Sequence, residues 1–141
     1  MKHKHPALTP ELYCYDFAKS RAFYTDVLGF RVDYQREEEG FAMLEREGAW
    51  LMIDEIGVER TWHTGEFDRP LGRGINLQIE VSDVDALYEA VKAASHPIFL
   101  EMEEAWYRAD DIYLGNRQFL VQDPDGYLLR FFQDIGERDY A

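Results

Sequence analysis

Cysteine is almost missing from this chain: Cys14 is the only one in 141 residues. That excludes an intrachain disulfide, a Cys-x-x-Cys redox pair and a thiolate zinc cluster, and a reducing, cytoplasmic setting is expected. Cationic residues are also scarce. Lys and Arg number 15 against 28 Asp and Glu, a formal net charge of -13. Such a field repels phosphate backbones, so nucleic acid is not an expected partner, whereas cations are drawn in at long range. No apolar stretch approaches the length of a membrane span, and no membrane partner is expected. The basic opening Met1-Lys2-His3-Lys4-His5-Pro6 runs into Thr9, Pro10 and Glu11, which is not the pattern of a signal peptide.

What is present is a good supply of core material, 46% hydrophobic and 15% aromatic. A chain of this length can bury roughly two-thirds of its unfolded surface as one domain. Leu12 to Tyr15 read as a strand, Asp16 as an N-cap, and Ala18 to Leu28 as a helix in which Phe23 and Val27, and Tyr24 and Leu28, are four apart. Gly29 stops it. Phe30, Val32 and Tyr34 alternate with polar residues, and the turn Glu37-Glu38-Glu39-Gly40 leads to two short strands, Phe41–Leu44 and Ala49–Ile53.

The segment from Asp54 to Gly74 has no period and reads as a connection of about twenty residues. Beyond it Ile75, Leu77, Ile79 and Val81 alternate, and Ser82 opens a Ser-x-x-Asp capping box closing at Asp85. Val84, Leu87, Tyr88 and Val91 form a helical stripe ended by His96-Pro97. Ile98–Met102 is strand-like, Glu103–Tyr113 an acidic, aromatic segment whose acid pairs Glu103-Glu104 and Asp110-Asp111 read as solvated loop, and Phe119–Val121 and Tyr127–Phe132 are strands around the turn Asp123-Pro124-Asp125-Gly126. Strand, helix, three strands thus occurs twice, at an offset of about 64 residues. The expectation is an α+β domain of two modules, about 7–56 and about 74–134, with a connection at about 57–73.

Two segments, Phe23-Tyr24-Thr25-Asp26-Val27-Leu28-Gly29-Phe30 and Phe119-Leu120-Val121-Gln122-Asp123-Pro124-Asp125-Gly126-Tyr127-Leu128-Leu129-Arg130-Phe131, resemble the paired signatures of the vicinal oxygen chelate superfamily. That superfamily joins glyoxalases, bleomycin resistance proteins and dihydroxybiphenyl dioxygenases. The likeness is nearest to the bleomycin resistance proteins and runs from about Ala7 to Gln133. It implies two tandem βαβββ modules, each a half-barrel sheet, paired in a homodimer whose interface forms the ligand clefts. A partner chain would also cover exposed apolar faces and strand edges.

In the superfamily's enzymes His, Glu or Gln from strands of both modules hold a divalent metal. The resemblance places those positions at Thr9, at about Met52, at Asn76 and at Arg130. A guanidinium has no lone pair to give a metal. No metal and no cofactor is therefore expected; a shifted ligand set using Glu11 and Asp54 is the remaining option. His3 and His5 lie in the terminus, His63 in the connection and His96 at a helix end. Cys14, between Tyr13 and Tyr15, reads as a buried inert thiol.

The function that the resemblance implies is a binding protein that sequesters a flat aromatic or cationic ligand, such as bleomycin, without chemistry. The alternative is a metal-dependent lyase or dioxygenase. Aromatic planes and negative charge would do the binding. Phe41 matches the family's stacking phenylalanine, with a core strand role as the other reading. The family's stacking tryptophan falls near Gly115, and Trp106, Tyr107 and Tyr113 are substitutes for it. Trp50 and Trp62 are further candidates for lining a cleft, Trp50 equally for strand packing. Arg117 and Arg130 would pair with carboxylates or receive an anionic ligand group.

Overall fold

A computed structural model describes residues 4–140. It divides into two compact units, one holding the described residues up to Leu71 together with Asp123–Tyr127, the other holding Gly72–Gln122 and the described residues from Leu128. No helix among the described residues is long and apolar enough to cross a membrane.

The first unit is built on β1 (Glu11–Cys14), α1 (Phe17–Ala22), β2 (Arg31–Arg36), β3 (Phe41–Arg46) and β4 (Ala49–Glu55), with sheet order β1-β4-β3-β2. The carboxylate of Asp16 accepts from the Lys19 N–H and so caps α1, as its place in the sequence suggests. The helix continues as a wider π-helical turn over Phe23–Val27. Gly29, at φ +76°, ends it in the left-handed conformation that residues with a β-carbon avoid. Strand alternation sends Leu12, Cys14, Leu44, Leu51 and Ile53 against Phe23, Tyr24 and Leu28, all of them buried. β3 and β4 are longer than their apolar runs, because Glu47-Gly48 alone makes the turn, both residues at positive φ.

The Asp123–Tyr127 turn completes this unit as a buried polar knot. Asp123 Oδ1 accepts the N–H groups of Asp125, Gly126 and Tyr127 at 2.8, 3.0 and 3.0 Å, and its Oδ2 accepts the Tyr24 hydroxyl at 2.8 Å. Asp125 accepts from the Ser20 hydroxyl at 3.2 Å and from Arg69 at 3.0 Å. Cys14 lies nearby, 2% exposed. Burial pushes its thiol up to about 12, so it carries no thiolate at neutral pH.

The second unit contains β5 (Asn76–Glu80), α2 (Val84–Ala93), β6 (Leu100–Ala109), β7 (Ile112–Gln122) and β8 (Leu128–Asp139), in sheet order β5-β8-β7-β6. α2 buries Val84, Leu87 and Val91, and the core of the sheet is Ile79, Phe119, Val121, Leu129 and Phe131. Two expectations are corrected here. The N-cap of α2 is Asp83, whose side chain accepts from the Ala86 N–H, and not Ser82. Starting one residue later makes the buried Val84 the first helical residue, and its N–H is taken up by the Gln133 side chain at 3.0 Å.

Glu103–Tyr113 is no loop but most of a long hairpin, β6 and the start of β7, closed by Asp110-Asp111 with Asp110 at φ +56°. β6 is an edge strand with no fully buried residue, so a period-two apolar pattern never develops in it. Strand, helix and three strands thus occur twice, each set closing a four-strand sheet, as the repeated pattern in the sequence predicts for an α+β domain.

Candidate functional site

Each sheet has one face packed on its helix; the opposite face of the first carries the buried Phe41 and Met43 beside the half-buried Trp50, Met52 and Asp54, and that of the second is open and holds polar and aromatic groups. In the first unit the register sets Phe41 opposite Asp54, Met43 opposite Met52 and Glu45 opposite Trp50, with Glu11 beside Met52 and Tyr13 beside Asp54 on β1. Phe41 is only 4% exposed. The Arg36 guanidinium lies 4.1 Å over its ring and the Tyr34 ring is 5.9 Å away. Trp50 is half-buried, with the His5 ring edge-on at 5.3 Å and Arg31 at 5.7 Å. His5 is thereby packed on the sheet, not loose in the terminus; His3 lies outside the described residues. Trp62, in the connection, is 61% exposed under the Arg60 guanidinium at 4.6 Å, and its backbone N–H donates to the Tyr13 hydroxyl at 3.0 Å.

Glu11 and Asp54, the pair considered for a metal, hydrogen-bond to each other. Burial, that hydrogen bond and the Glu11 charge push the Asp54 carboxyl up to about 6. The pair is two carboxylates only, and no group of three His, Cys, Asp or Glu suited to a metal occurs among the described residues. Thr9, Met52, Asn76 and Arg130 do not fit a divalent ion either, because none offers an imidazole or carboxylate donor. Glu11→Gln is expected to lower the Asp54 midpoint, read by carboxyl carbon NMR across pH 4 to 8. A midpoint still near 6 would assign the shift to burial alone.

The second unit has a groove of about 550 Å³ on its open face, lined by Gln78, Glu80, Tyr107, Asn116, Arg130 and Phe132 and, at one end, by Asp134 and Glu137. β8 builds its floor, since Arg130, Phe132 and Asp134 alternate with the buried Leu129 and Phe131. β5 runs parallel beside it, with Gln78 level with Arg130 and Glu80 with Phe132. A buried glutamine orders the groove. Gln118, 2% exposed, donates from Nε2 to Glu103 at 2.8 Å and to the Tyr107 hydroxyl at 2.7 Å, so its Oε1 must turn to Arg130, whose Nε donates to it at 3.1 Å. The Arg130 guanidinium sits 5.2 Å from the Tyr107 ring centroid.

Of the residues expected to bind a ligand, Tyr107 lies in this groove, and Trp106, Tyr113 and Arg117 do not. Arg117 is on the helix side of the sheet, bound to Asp85 of α2 at 2.7 Å and facing Glu104 at 3.6 Å. Trp106 shares that side, lying across Gly115 with the Arg138 guanidinium 3.8 Å above its ring. A β-carbon at Gly115 would stand 2.6 Å from the Trp106 ring, so the glycine makes room for this tryptophan. Tyr113 packs on Tyr140 at 5.5 Å. Phe41 and Trp50 share the face of the first sheet that lies away from its helix. Gln78, Glu80 and Phe132, which line the groove, and Gln118, buried behind Arg130, are residues that sequence reasoning missed; the alternation 130, 132, 134 was the signal for one strand, but strand pairing supplies the others.

A model of the Glyoxalase/Bleomycin resistance protein/Dioxygenase superfamily matches residues 4–131. Bleomycin resistance proteins of Geobacillus stearothermophilus and Staphylococcus aureus are each 32% identical over 136 residues, spanning 89% of this chain and 95% of theirs. Among solved structures, TioX from Micromonospora sp. ML1 superposes with a TM-score of 0.72 at 24% identity, over 94% of this chain and 100% of that one, a likeness of fold. With the paired signatures, the two four-strand sheets and these matches together, the chain belongs to the glyoxalase/bleomycin resistance protein/dioxygenase superfamily.

Proposed function

We propose that this protein is a metal-free binding protein of the bleomycin-resistance type, acting in the cytoplasm as a homodimer that sequesters a flat aromatic or cationic molecule in a cleft at the dimer interface. The observation that carries the reading is Arg130. At the position where the resemblance puts a metal-binding glutamate, the last strand presents a guanidinium fastened to a buried glutamine. A cation there opposes a divalent ion by charge and offers it no lone pair. The relatives' name supplies the ligand class, and the groove supports it with matching chemistry: Tyr107 and Phe132 as ring planes for stacking, and Glu80, Asp134 and Glu137 as carboxylates for a cationic tail.

The test is calorimetric titration of the EDTA-treated protein with metal-free and copper-loaded bleomycin at low and moderate salt. Saturable binding of micromolar strength or tighter, at one drug per chain and weaker at higher salt, is expected. The absence of saturation would remove the drug from the reading. Restoration of binding or turnover by added zinc or manganese would instead favour the lyase or dioxygenase alternative.

A further inference from the structure

Arg130 stands apart from the other half-buried arginines of this acidic chain. Four arginines are half-buried: Arg21, Arg46, Arg117 and Arg130. Arg21 pairs with Glu37, Arg46 with Glu47, and Arg117 with Asp85 and Glu104. Among the described residues Arg130 alone of these four pairs with no carboxylate. Its Nε is spent on Gln118, its two terminal amino groups have no hydrogen-bond partner among the described residues, and the residue lines the groove. A guanidinium fixed through Nε leaves its outer edge as a fork for two coplanar oxygens.

The rest of the groove has the opposite charge. Glu80 is the diagonal neighbour of Arg130 across the β5–β8 pair, a separation of about 8 Å between backbones. Asp134 is four residues along β8, with Glu137 beyond it, and Tyr107 and Phe132 provide aromatic surface. A purely anionic ligand would meet these carboxylates and the net charge of -13. A purely cationic one would meet Arg130. A molecule with both groups on one aromatic body satisfies both.

We infer that this groove is a subsite for an amphoteric aromatic ligand, its carboxylate forked by Arg130 and its amine facing Glu80. The inference rests on the binding-protein reading above and deepens it: Arg130 is a specificity-determining residue, and Gln118 is the residue that positions it. Gln118 holds the guanidinium edge-out because both of its amide protons are already engaged.

Three small probes that differ in one group each test this: tryptophan, with both charges; tryptamine, lacking the carboxylate; and indole-3-propionate, lacking the amine. Binding to the intact, nitrogen-15-labelled protein is followed by NMR at millimolar ligand, with bleomycin titrated separately. Tryptophan is expected to bind at least about fivefold more tightly than either of the others, and Arg130→Gln to bring tryptophan within about twofold of tryptamine. Gln118→Leu should weaken tryptophan selectively with Arg130 still present. The thermal midpoint of each variant shows that it is folded, and the wild-type ratio of tryptophan to tryptamine stands even where a variant is not. Equal affinity of wild type for tryptophan and tryptamine overturns the inference, whatever bleomycin does, and so does failure of all three probes to bind. If bleomycin fails while tryptophan keeps its Arg130-dependent advantage, the subsite stands and only the drug is lost from the broader reading.

Discussion

Asp123→Ala is expected to cost about 4 kcal/mol of folding stability, measured by urea unfolding at pH 7. The carboxylate is 5% exposed and serves four donors, three of them backbone N–H groups of its own turn and the fourth the hydroxyl of the fully buried Tyr24. Alanine leaves those donors without an acceptor in a site with little room for water, and each orphan costs about 1–3 kcal/mol before relaxation. Asp123→Asn keeps an acceptor oxygen for the three N–H groups and should cost about 1 kcal/mol or less.

The two variants also differ from wild type in pH dependence. Burial, against the donors that hold it down, pushes the Asp123 carboxyl up to about 6 from 3.8. The folded state therefore binds this proton more tightly than the unfolded one. The resulting contribution to stability is complete below about pH 3.8 and is lost as pH rises through about 6. Between pH 5 and pH 7 wild type should lose about 1 kcal/mol through this group, and Asp123→Asn should not. Asp54, raised for related reasons, adds a smaller change of the same sign because it is more open to solvent. Equal slopes for wild type and Asp123→Asn would show that Asp123 keeps an ordinary carboxylate affinity in the fold.

Gly126→Ala should be about as damaging, near 4 kcal/mol, which corresponds to roughly 10 °C in thermal midpoint for a chain of this size. Gly126 sits at φ +106°. A β-carbon there would lie 2.4 Å from Cβ and 2.6 Å from Cα of Pro70, and 3.0 Å from the Leu71 nitrogen. Backbone strain and a collision with main chain act together, and the neighbour has no flexible end to move. Gly48, also at positive φ but with no atom within 4 Å of such a carbon, is the control. Gly48→Ala should cost only the conformational part, about 1 kcal/mol. Similar losses at both positions would mean that the Pro70 contact contributes nothing.

The fold was legible wherever one face of an element is buried and the other is wet. α2 shows its stripe because Val84, Leu87 and Val91 point into a core, and β4 alternates because Leu51 and Ile53 face α1 while Trp50, Met52 and Asp54 do not. The β6–β7 hairpin was missed because Glu101, Glu103, Glu104, Tyr107 and Arg108 are exposed along it, leaving no periodic signal in β6. The site was harder to read for a different reason. Arg130 was visible as an obstacle to metal, but its partner Gln118 is twelve residues away on the neighbouring strand. Only strand register brings the two together. Trp106 and Tyr107 are adjacent in sequence and so face opposite sides of the sheet. One belongs to the groove and the other packs on Gly115.

The first compact unit is discontinuous along the chain, and this bears on the order in which a nascent polypeptide can finish folding. Its sheet and helix are encoded by residue 55, yet Tyr24 and Ser20 find their acceptors 99 and 105 residues later. Emerging from the ribosome at about 5–20 residues per second, the chain carries these hydroxyls unanswered for roughly 5–20 s. Closing so long a loop is then entropically slow to begin. The N-terminal module is first to be made and among the last to be completed, so the Asp-Pro-Asp-Gly turn serves as the latch of a folding reaction that ends together for residues far apart in the chain.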